Sequence, residues 1–334
     1  MSIRTVLTLA ALPFAAFAEP IHVSTDNFVR AESDVYMAGL LKGGKIGEFT
    51  HFRELSPIDH QTVIRQNRDT LYSSAVIDLE AGPAKITLPE TGGRFVSLQV
   101  ITEDHYAPQV HYLPGTFELT KEDTGTRYAT IAARVLANPN DPEDMKQAHA
   151  VQDGITIEQA SKGEFVIPEW DKVSQDKTRA ALLSLSALLP DTRGMFGAKD
   201  QVDPIRHLIG AAYGWGGNPE KDALYLSFFP EKNDGKTVYR LKVGEVPVDG
   251  FWSVSAYGAD GYYHPNDLNA YTLNNLTAKQ AGDGSTTIQF GGCAVDVVNC
   301  LPVTEGWNYL VRLYRPKPEV LDGKWTFPAP EPVE

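Results

Sequence analysis

Arg65-Gln66-Asn67-Arg68-Asp69-Thr70-Leu71-Tyr72 runs without a break into Ser73-Ser74-Ala75-Val76-Ile77-Asp78-Leu79. The first part is a dense polar cluster, in which two arginines bracket an amide and a carboxylate sits beside the second. The rest alternates with a period of two: Leu71, Ser73, Ala75, Ile77 and Leu79 share one face of a strand. Guanidinium, amide and carboxylate groups this close together suit mutual pairing better than a bare surface loop. The stretch reads as the hinge between a helical lead and a β-domain.

Upstream, Asp26 to Leu41 has helical spacing. Phe28, Ala31, Val35 and Ala38 form an apolar stripe, with Val29, Tyr36 and Leu40 beside it and Gly43-Gly44 as the stop. Downstream, Val96, Leu98 and Val100 line one strand face, and Ala129, Ile131, Ala133 and Val135 line another. Gly82-Pro83, Gly92-Gly93, Pro114-Gly115 and Gly125 separate these runs as turns. Short strands at this spacing indicate an antiparallel sandwich or jelly roll.

Helical signals follow. Asp141-Pro142 and Asp203-Pro204 each place a capping carboxylate before a proline at the first helical position. Gly154 closes the first of these helices, and Gly214, Gly216 and Gly217 end the other. A further helix runs from Asp171 to Leu189 and stops at Pro190. Period two returns at Ala223 to Phe229. Asn233-Asp234-Gly235 reads as a hairpin turn into Thr237, Tyr239, Leu241 and Val243. Phe251 to Tyr257 and the run through Tyr309, Val311 and Leu313 are further strands. The divisions are thus 19–138 (helix plus β-sandwich), 139–220 (helical interlude) and 221–334 (a second β-sandwich).

The first 18 residues stand apart. Arg4 precedes an almost wholly apolar run, Val6 to Phe17, and Ala16-Phe17-Ala18 is a small-x-small cleavage signal. The reading is a signal peptide cleaved after Ala18, hence a periplasmic or secreted protein; the alternative is an uncleaved membrane anchor, against which the apolar run is short and the cleavage signal clean. Cleavage removes Arg4 and no acid, taking the formal charge from −13 to −14. Such a chain is repelled by phosphate backbones and anionic lipid, which disfavours nucleic acid as a partner. No apolar run reaches the ~18 residues a membrane-spanning helix requires. The partners left open are a small-molecule ligand and a second copy of the chain, as a homo-oligomer.

The two cysteines, Cys293 and Cys300, most simply form a local disulfide in an oxidising compartment. A metal pair or a redox couple are the alternatives, although the spacing is not C-x-x-C and no histidine lies between them.

Two sets of residues carry a resemblance. Arg65-x-Asn67-Arg68-Asp69-Thr70-Leu71-Tyr72-Ser73, with Leu88-Pro89-x-Thr91-Gly92-Gly93-Arg94-Phe95, resembles domain of unknown function 1254. Trp252 to Tyr257, Asn299-x-Leu301-Pro302, Leu310-Val311-x-Leu313-Tyr314-x-Pro316-Lys317 and Leu321-Asp322-Gly323-x-Trp325 resemble its usual partner, domain of unknown function 1214. The resemblance covers most of the chain beyond Ala18. It implies a mainly β protein with helical segments, built as two jelly-roll-like antiparallel β-sandwich domains joined by the helical interlude. It implies no particular reaction. In the Asn-x-Leu-Pro motif, where members often have Trp, this chain has Cys300, which supports the disulfide.

No G-x-S-x-G elbow, H-E-x-x-H zinc motif, Walker loop or EF-hand loop is present. Three weaker clusters remain. Arg65, Asn67, Arg68 and Tyr72 could hold a carboxylate or phosphate, with Asp69 as base or orienting group; the alternative is that they pair to fix the entry of the strand. His105 and His111, six residues apart, could act as acid and base or bind a metal with Asp104 or Asp69, though Pro108 interrupts the strand between them. No other cofactor is expected. Tyr257, Tyr263 and Asn266 belong to a Tyr- and Asn-rich segment that could line a ligand pocket or simply form a long polar loop. Two functions follow. One is a binding or assembly module with its ligand between the β-domains, near Arg68. The other is a hydrolase-like or lyase-like enzyme using Asp69, His105 or His111.

Overall fold

The computed structural model describes residues 19–61, 64–189 and 191–333. The cleavage signal and the helix stop at Pro190 lie outside the described residues. In chain order the elements are α1 (Phe28–Leu41), β1 (Thr50–Phe52), β2 (Thr70–Asp78), β3 (Ala84–Leu88), β4 (Val96–Thr102), β5 (Gln109–His111), β6 (Gly115–Leu119), α2 (Lys121–Thr124), β7 (Tyr128–Leu136), α3 (Pro142–Gly154) and β8 (Thr156–Gln159). Next come α4 (Lys172–Ser186) and α5 (Pro204–Tyr213). The last part holds β9 (Ala223–Phe228), β10 (Tyr239–Val243), β11 (Trp252–Tyr257), β12 (Thr272–Asn274), β13 (Thr286–Phe290), β14 (Cys300–Leu301), β15 (Asn308–Tyr314), α6 (Pro318–Leu321) and β16 (Glu331–Pro332). The protein is mainly β with helical segments.

Four sheets pack as two sandwiches. In the first, β1-β2-β7-β4-β5 lies against β6-β3-β8. Leu71, Ile77, Leu98 and Ile131 on one sheet meet Ile86 and Leu119 on the other in a buried apolar layer. In the second, β12-β11-β15-β9 lies against β14-β13-β10-β16. Val254, Val311 and Leu313 meet Leu241, Ile288 and Phe290 there. Each fully buried aliphatic or aromatic side chain in these layers contributes about 1.5–3 kcal/mol. The pairing is antiparallel except between β13 and β14, where Gln289 faces Cys300 and Phe290 faces Leu301 in parallel.

The caps form as their sequences dictate. Asp141 accepts from the backbone N–H groups of Glu143 and Asp144, Asp171 from those of Val173 and Ser174, and Asp203 from those of Ile205 and Arg206. Each such cap is worth about 1 kcal/mol. The segment 139–220 is only partly an interlude. Its β8 pairs with β3, and Ala148, Val151 and Ile155 of the α3 region join the first sandwich's core. Its α4 and α5 gather instead around α1, with Phe28, Leu182 and Ile209 packed together.

Two local expectations are corrected. Val35 is exposed, and α1 buries Glu32, Ser33 and Asp34 alongside Phe28, Ala31 and Met37. Those polar groups are paired by distant elements: Arg179 and Gln175 bond Glu32, Trp215 Nε1 donates to Ser33, and Trp170 Nε1 donates to Asp34. The hairpin at Asn233-Asp234-Gly235 does not form either. β9 pairs with β15 in one sheet, while β10 pairs with β13 and β16 in the other. The segment crosses between sheets, and Asp234 makes an isolated bridge to Glu305. Among the described residues no helix is long and apolar enough to cross a membrane. Cys293 and Cys300 are joined by a disulfide.

Candidate functional site

Alternation gives each central sheet a second face, and both second faces are buried. On the first sandwich this face carries Tyr72, Ser74, Gln99 and Arg134; on the second it carries Ser253, Ser255, Arg312 and Tyr314. The two polar faces meet. The opening motif lies in the seam between them.

Asn67 is the knot. Its amide donates to the hydroxyls of Thr70, Tyr72 and Tyr314 at 3.1–3.2 Å, and its Oδ1 accepts from the Asp69 backbone N–H at 2.8 Å. Asp69 is fully buried. Its Oδ1 accepts from Thr272 Oγ1 at 3.0 Å and Asn274 Nδ2 at 3.1 Å, both on β12; its Oδ2 has no partner among the described residues. Arg312, 2% exposed, donates to Ser255 Oγ, the Tyr257 hydroxyl and the Arg65 carbonyl. Tyr257 in turn donates to the Gln66 carbonyl. Arg134 donates to Gln99 Oε1 and the Gly216 carbonyl, and its guanidinium lies over the Tyr72 ring. Neither buried arginine has a carboxylate within 4.0 Å among the described residues. Hydroxyls, carbonyls and aromatic faces solvate both, an arrangement that tolerates a buried charge only while every dipole stays in place. Burial pushes the Tyr263 and Tyr314 phenols well above their usual range, so both stay neutral.

The other residues singled out from sequence divide clearly. Arg65 has a left-handed backbone at φ 50°, donates to Asn308 Oδ1 and lies over Phe229. Tyr263 joins Tyr257 by a 3.1 Å hydroxyl contact. Asn266 clamps its own loop, with both amide atoms bonded to the Ala270 backbone. His105 is buried elsewhere, at φ 63°. Its Nε2 accepts from the Gly216 N–H, and burial, aided by the nearby His207, pushes its pKa down to about 3. His111 stacks on Phe117 at a sheet edge and contacts Gln109; burial lowers its pKa too. Asp69, His105 and His111 share no hydrogen-bond partner. No three His, Cys, Asp or Glu side chains gather to hold a metal among the described residues. The ligand set His105, His111 and Asp104 or Asp69 is therefore not assembled there.

Two cavities open beside the seam. One, of about 400 Å³, is lined by Glu54, Leu55, Arg68, Met145, Lys146 and His149, among others. Arg68 is half-buried. Its Nη1 donates to the Ser56 carbonyl, and its guanidinium lies 5.4 Å from the Tyr271 ring centroid, so it spans from the first sandwich to the second. Desolvation lowers its pKa from the ordinary arginine value. The other cavity, of about 560 Å³, lies between the sandwiches, with Phe95 and Tyr112 on one side and Asp249 and Arg315 on the other.

Family comparison agrees with this two-part build. The profile described as Protein of unknown function (DUF1254) matches residues 46–124, and that described as Protein of unknown function (DUF1214) matches residues 229–318. The chain is a DUF1254–DUF1214 protein. The DUF1254 match contains the Arg65–Tyr72 motif, and the DUF1214 match contains Tyr257, Asn274 and Arg312, which meet that motif across the seam. The crystal structure of the VPA0106 protein from Vibrio parahaemolyticus is similar at a TM-score of 0.71 and 20% identity, covering 93% of this chain and 98% of that one. An uncharacterized protein from Burkholderia cenocepacia is similar at a TM-score of 0.51 and 11% identity, covering 92% and 87%. Both likenesses concern the fold alone. No curated protein matches the chain.

The sequence reading did not single out Arg134 and Arg312. A signal was present: each is a lone charge inside an otherwise apolar alternating strand, on the face opposite the core.

Proposed function

We propose that this DUF1254–DUF1214 protein is an exported small-molecule-binding module, with a ligand site beside Arg68, on the first β-domain next to its seam with the second. One observation carries the reading. Arg68 is a half-buried guanidinium on a cavity of about 400 Å³, with no carboxylate within 4.0 Å among the described residues, in a chain of net charge −13. Lys146 and His149 share the cavity wall with it, and the one acid on that wall, Glu54, is exposed and makes no ion pair with Arg68. A partly desolvated cation without a directly paired carboxylate is costly, and an anionic ligand would relieve that cost through charge-assisted hydrogen bonds. The ligand class is a small carboxylate or phosphate.

The test is a melting-shift panel of phosphate and C2–C6 mono- and dicarboxylates against the wild type and Arg68→Ala. At least one anion should raise the wild-type melting temperature, and Arg68→Ala should lose that shift while its ligand-free melting temperature stays nearly unchanged. A large ligand-free loss would make Arg68 a structural residue. Export has its own check: protein recovered from the periplasm of a Gram-negative host should begin at Glu19 by intact mass.

The hydrolase- or lyase-like alternative retains one supporting observation, the unpartnered and buried Oδ2 of Asp69.

A further inference from the structure

The larger cavity has its own chemistry, independent of Arg68. It measures about 560 Å³, within the range of small-molecule sites. Phe95, Val96, Leu113, Leu136, Val151 and Leu276 give it apolar walls from both sandwiches. Two guanidinium groups reach it, and they differ. Arg94 is saturated: it grips Asp144 with both terminal nitrogens, at 3.0 and 2.6 Å, and donates to the Leu136 carbonyl. Arg315 has no side-chain hydrogen bond to protein and no carboxylate within 4.0 Å among the described residues. Its guanidinium lies 4.8 Å from the Tyr112 ring centroid. Tyr112 is held by donating to Asp222 Oδ1 at 2.8 Å.

Arg315 also occupies a left-handed backbone conformation, φ 52°, which non-glycine residues rarely adopt. Two backbone bonds fix it there: its N–H donates to the Asp222 carbonyl, and its own carbonyl accepts from the Asp249 N–H. Such outliers persist where surrounding structure over-determines them, and they cluster at ligand sites. No acid pairs directly with Arg315. Asp144 is paired to Arg94, Asp249 is exposed at the rim, and the buried Asp222 carboxylate, which acts on Arg315 through space, is bonded to Tyr112.

We infer that the cavity between the sandwiches is a second ligand site, for a small monocarboxylate with an apolar body. Arg315 takes the carboxylate by two parallel N–H···O bonds while its face stays stacked on Tyr112. The hydrocarbon part lies against Phe95, Leu136 and Leu276. A cavity of this size accommodates a six- to eight-carbon acid and leaves a two-carbon acid with little apolar contact.

Calorimetric titration of the full chain with acetate, hexanoate, benzoate and neutral benzamide tests this. Hexanoate and benzoate should bind at least tenfold more tightly than acetate or benzamide. Arg315→Gln should weaken benzoate at least tenfold. Leu113→Trp, at a residue 80% exposed and so without consequence for the core, should weaken it similarly by narrowing the cavity. Arg68→Ala should leave benzoate affinity unchanged, which separates this site from the one proposed above. Absence of wild-type binding to both hexanoate and benzoate, unaltered affinity in Arg315→Gln, or loss of binding in Arg68→Ala would each overturn the assignment.

Discussion

The buried guanidinium of Arg312, on β15, donates to the backbone carbonyl of Arg65 at 2.7 Å. The two residues are 247 positions apart. The bond ties the lead-in of the first sandwich to the central sheet of the second. Asn67 to Tyr314 and Asp69 to Asn274 repeat the connection within four residues of Arg65. The Arg65 carbonyl, Asn67 and Asp69 are therefore the mortar of the seam, while Arg68 lies on a cavity beside it.

Arg312→Met should be among the most destabilising seam substitutions. It keeps the stem's volume but leaves the Arg65 carbonyl without its donor, takes one donor each from Ser255 Oγ and the Tyr257 hydroxyl, and removes the positive charge facing Asp69. Leaving a buried acceptor without its donor costs about 1–3 kcal/mol. Urea unfolding followed by fluorescence should show a loss of this size. A loss under about 1 kcal/mol would mean that the seam is held by something else.

Asp34 predicts a pH dependence. Desolvation lifts its pKa to about 7; Glu103 adds to the lift, while the Trp170 N–H and Arg30 oppose it. In the unfolded chain the same carboxyl titrates near 3.8. The folded state thus binds an extra proton between those values, and stability falls as pH rises through that window, levelling off above it. Asp34→Asn should remove this fall, leaving the variant more stable than wild type at pH 8 by on the order of 2 kcal/mol and little different at pH 4. Urea midpoints measured across pH 4–8 decide it. A wild-type profile rising over that range and unaffected by the substitution would show that Asp34 is ionised in the fold.

How legible each feature was in the sequence depended on how local its cause is. The caps at Asp141, Asp171 and Asp203 act on backbone two or three residues away, and all three helices begin where their sequences indicate. The β2, β4 and β7 strands follow their alternation for the same reason. Alternation marks which residues share a face but not what covers it. In β2, β7, β11 and β15 both faces are buried, so the polar face that reads as solvent-facing is the seam. The buried face of α1 departs from its apolar stripe because Trp170 and Trp215, which pair its acid and hydroxyl, lie 136 and 182 residues from their partners. Among site residues, Arg68 was visible as part of a dense motif. Arg315 was not, because its lack of a directly paired carboxylate and its left-handed backbone exist only in three dimensions.

The disulfide gives a redox prediction. Cys293 and Cys300 are seven residues apart, and the bond returns the chain to β14 beside β13. Closing so short a loop contributes about 2–3 kcal/mol in the chain-entropy description. Cys293→Ser, or wild type under reductant, should lose that much in urea unfolding. Thiol titration of oxidised protein in denaturant should find no reactive group. Two free thiols there would show that the bond does not form.

Gly235 replaces the expected hairpin with a close crossing, and its cost can be isolated. It sits at φ 71°, and a Cβ there would lie 2.7 Å from backbone atoms of both Thr304 and Glu305. Gly284 has a similar φ of 79° in the same sandwich, with nothing within 4 Å of its Cβ position. Both alanine substitutions incur the left-handed strain of about 1–2 kcal/mol. Gly235→Ala must also push two backbone segments apart, which raises its cost to roughly 3 kcal/mol or more. The difference between the two variants in urea unfolding therefore measures the crossing itself. Equal losses would mean that residues 229–238 do not run against the 304–305 segment, and the assignment of β9 and β10 to separate sheets would fail with it.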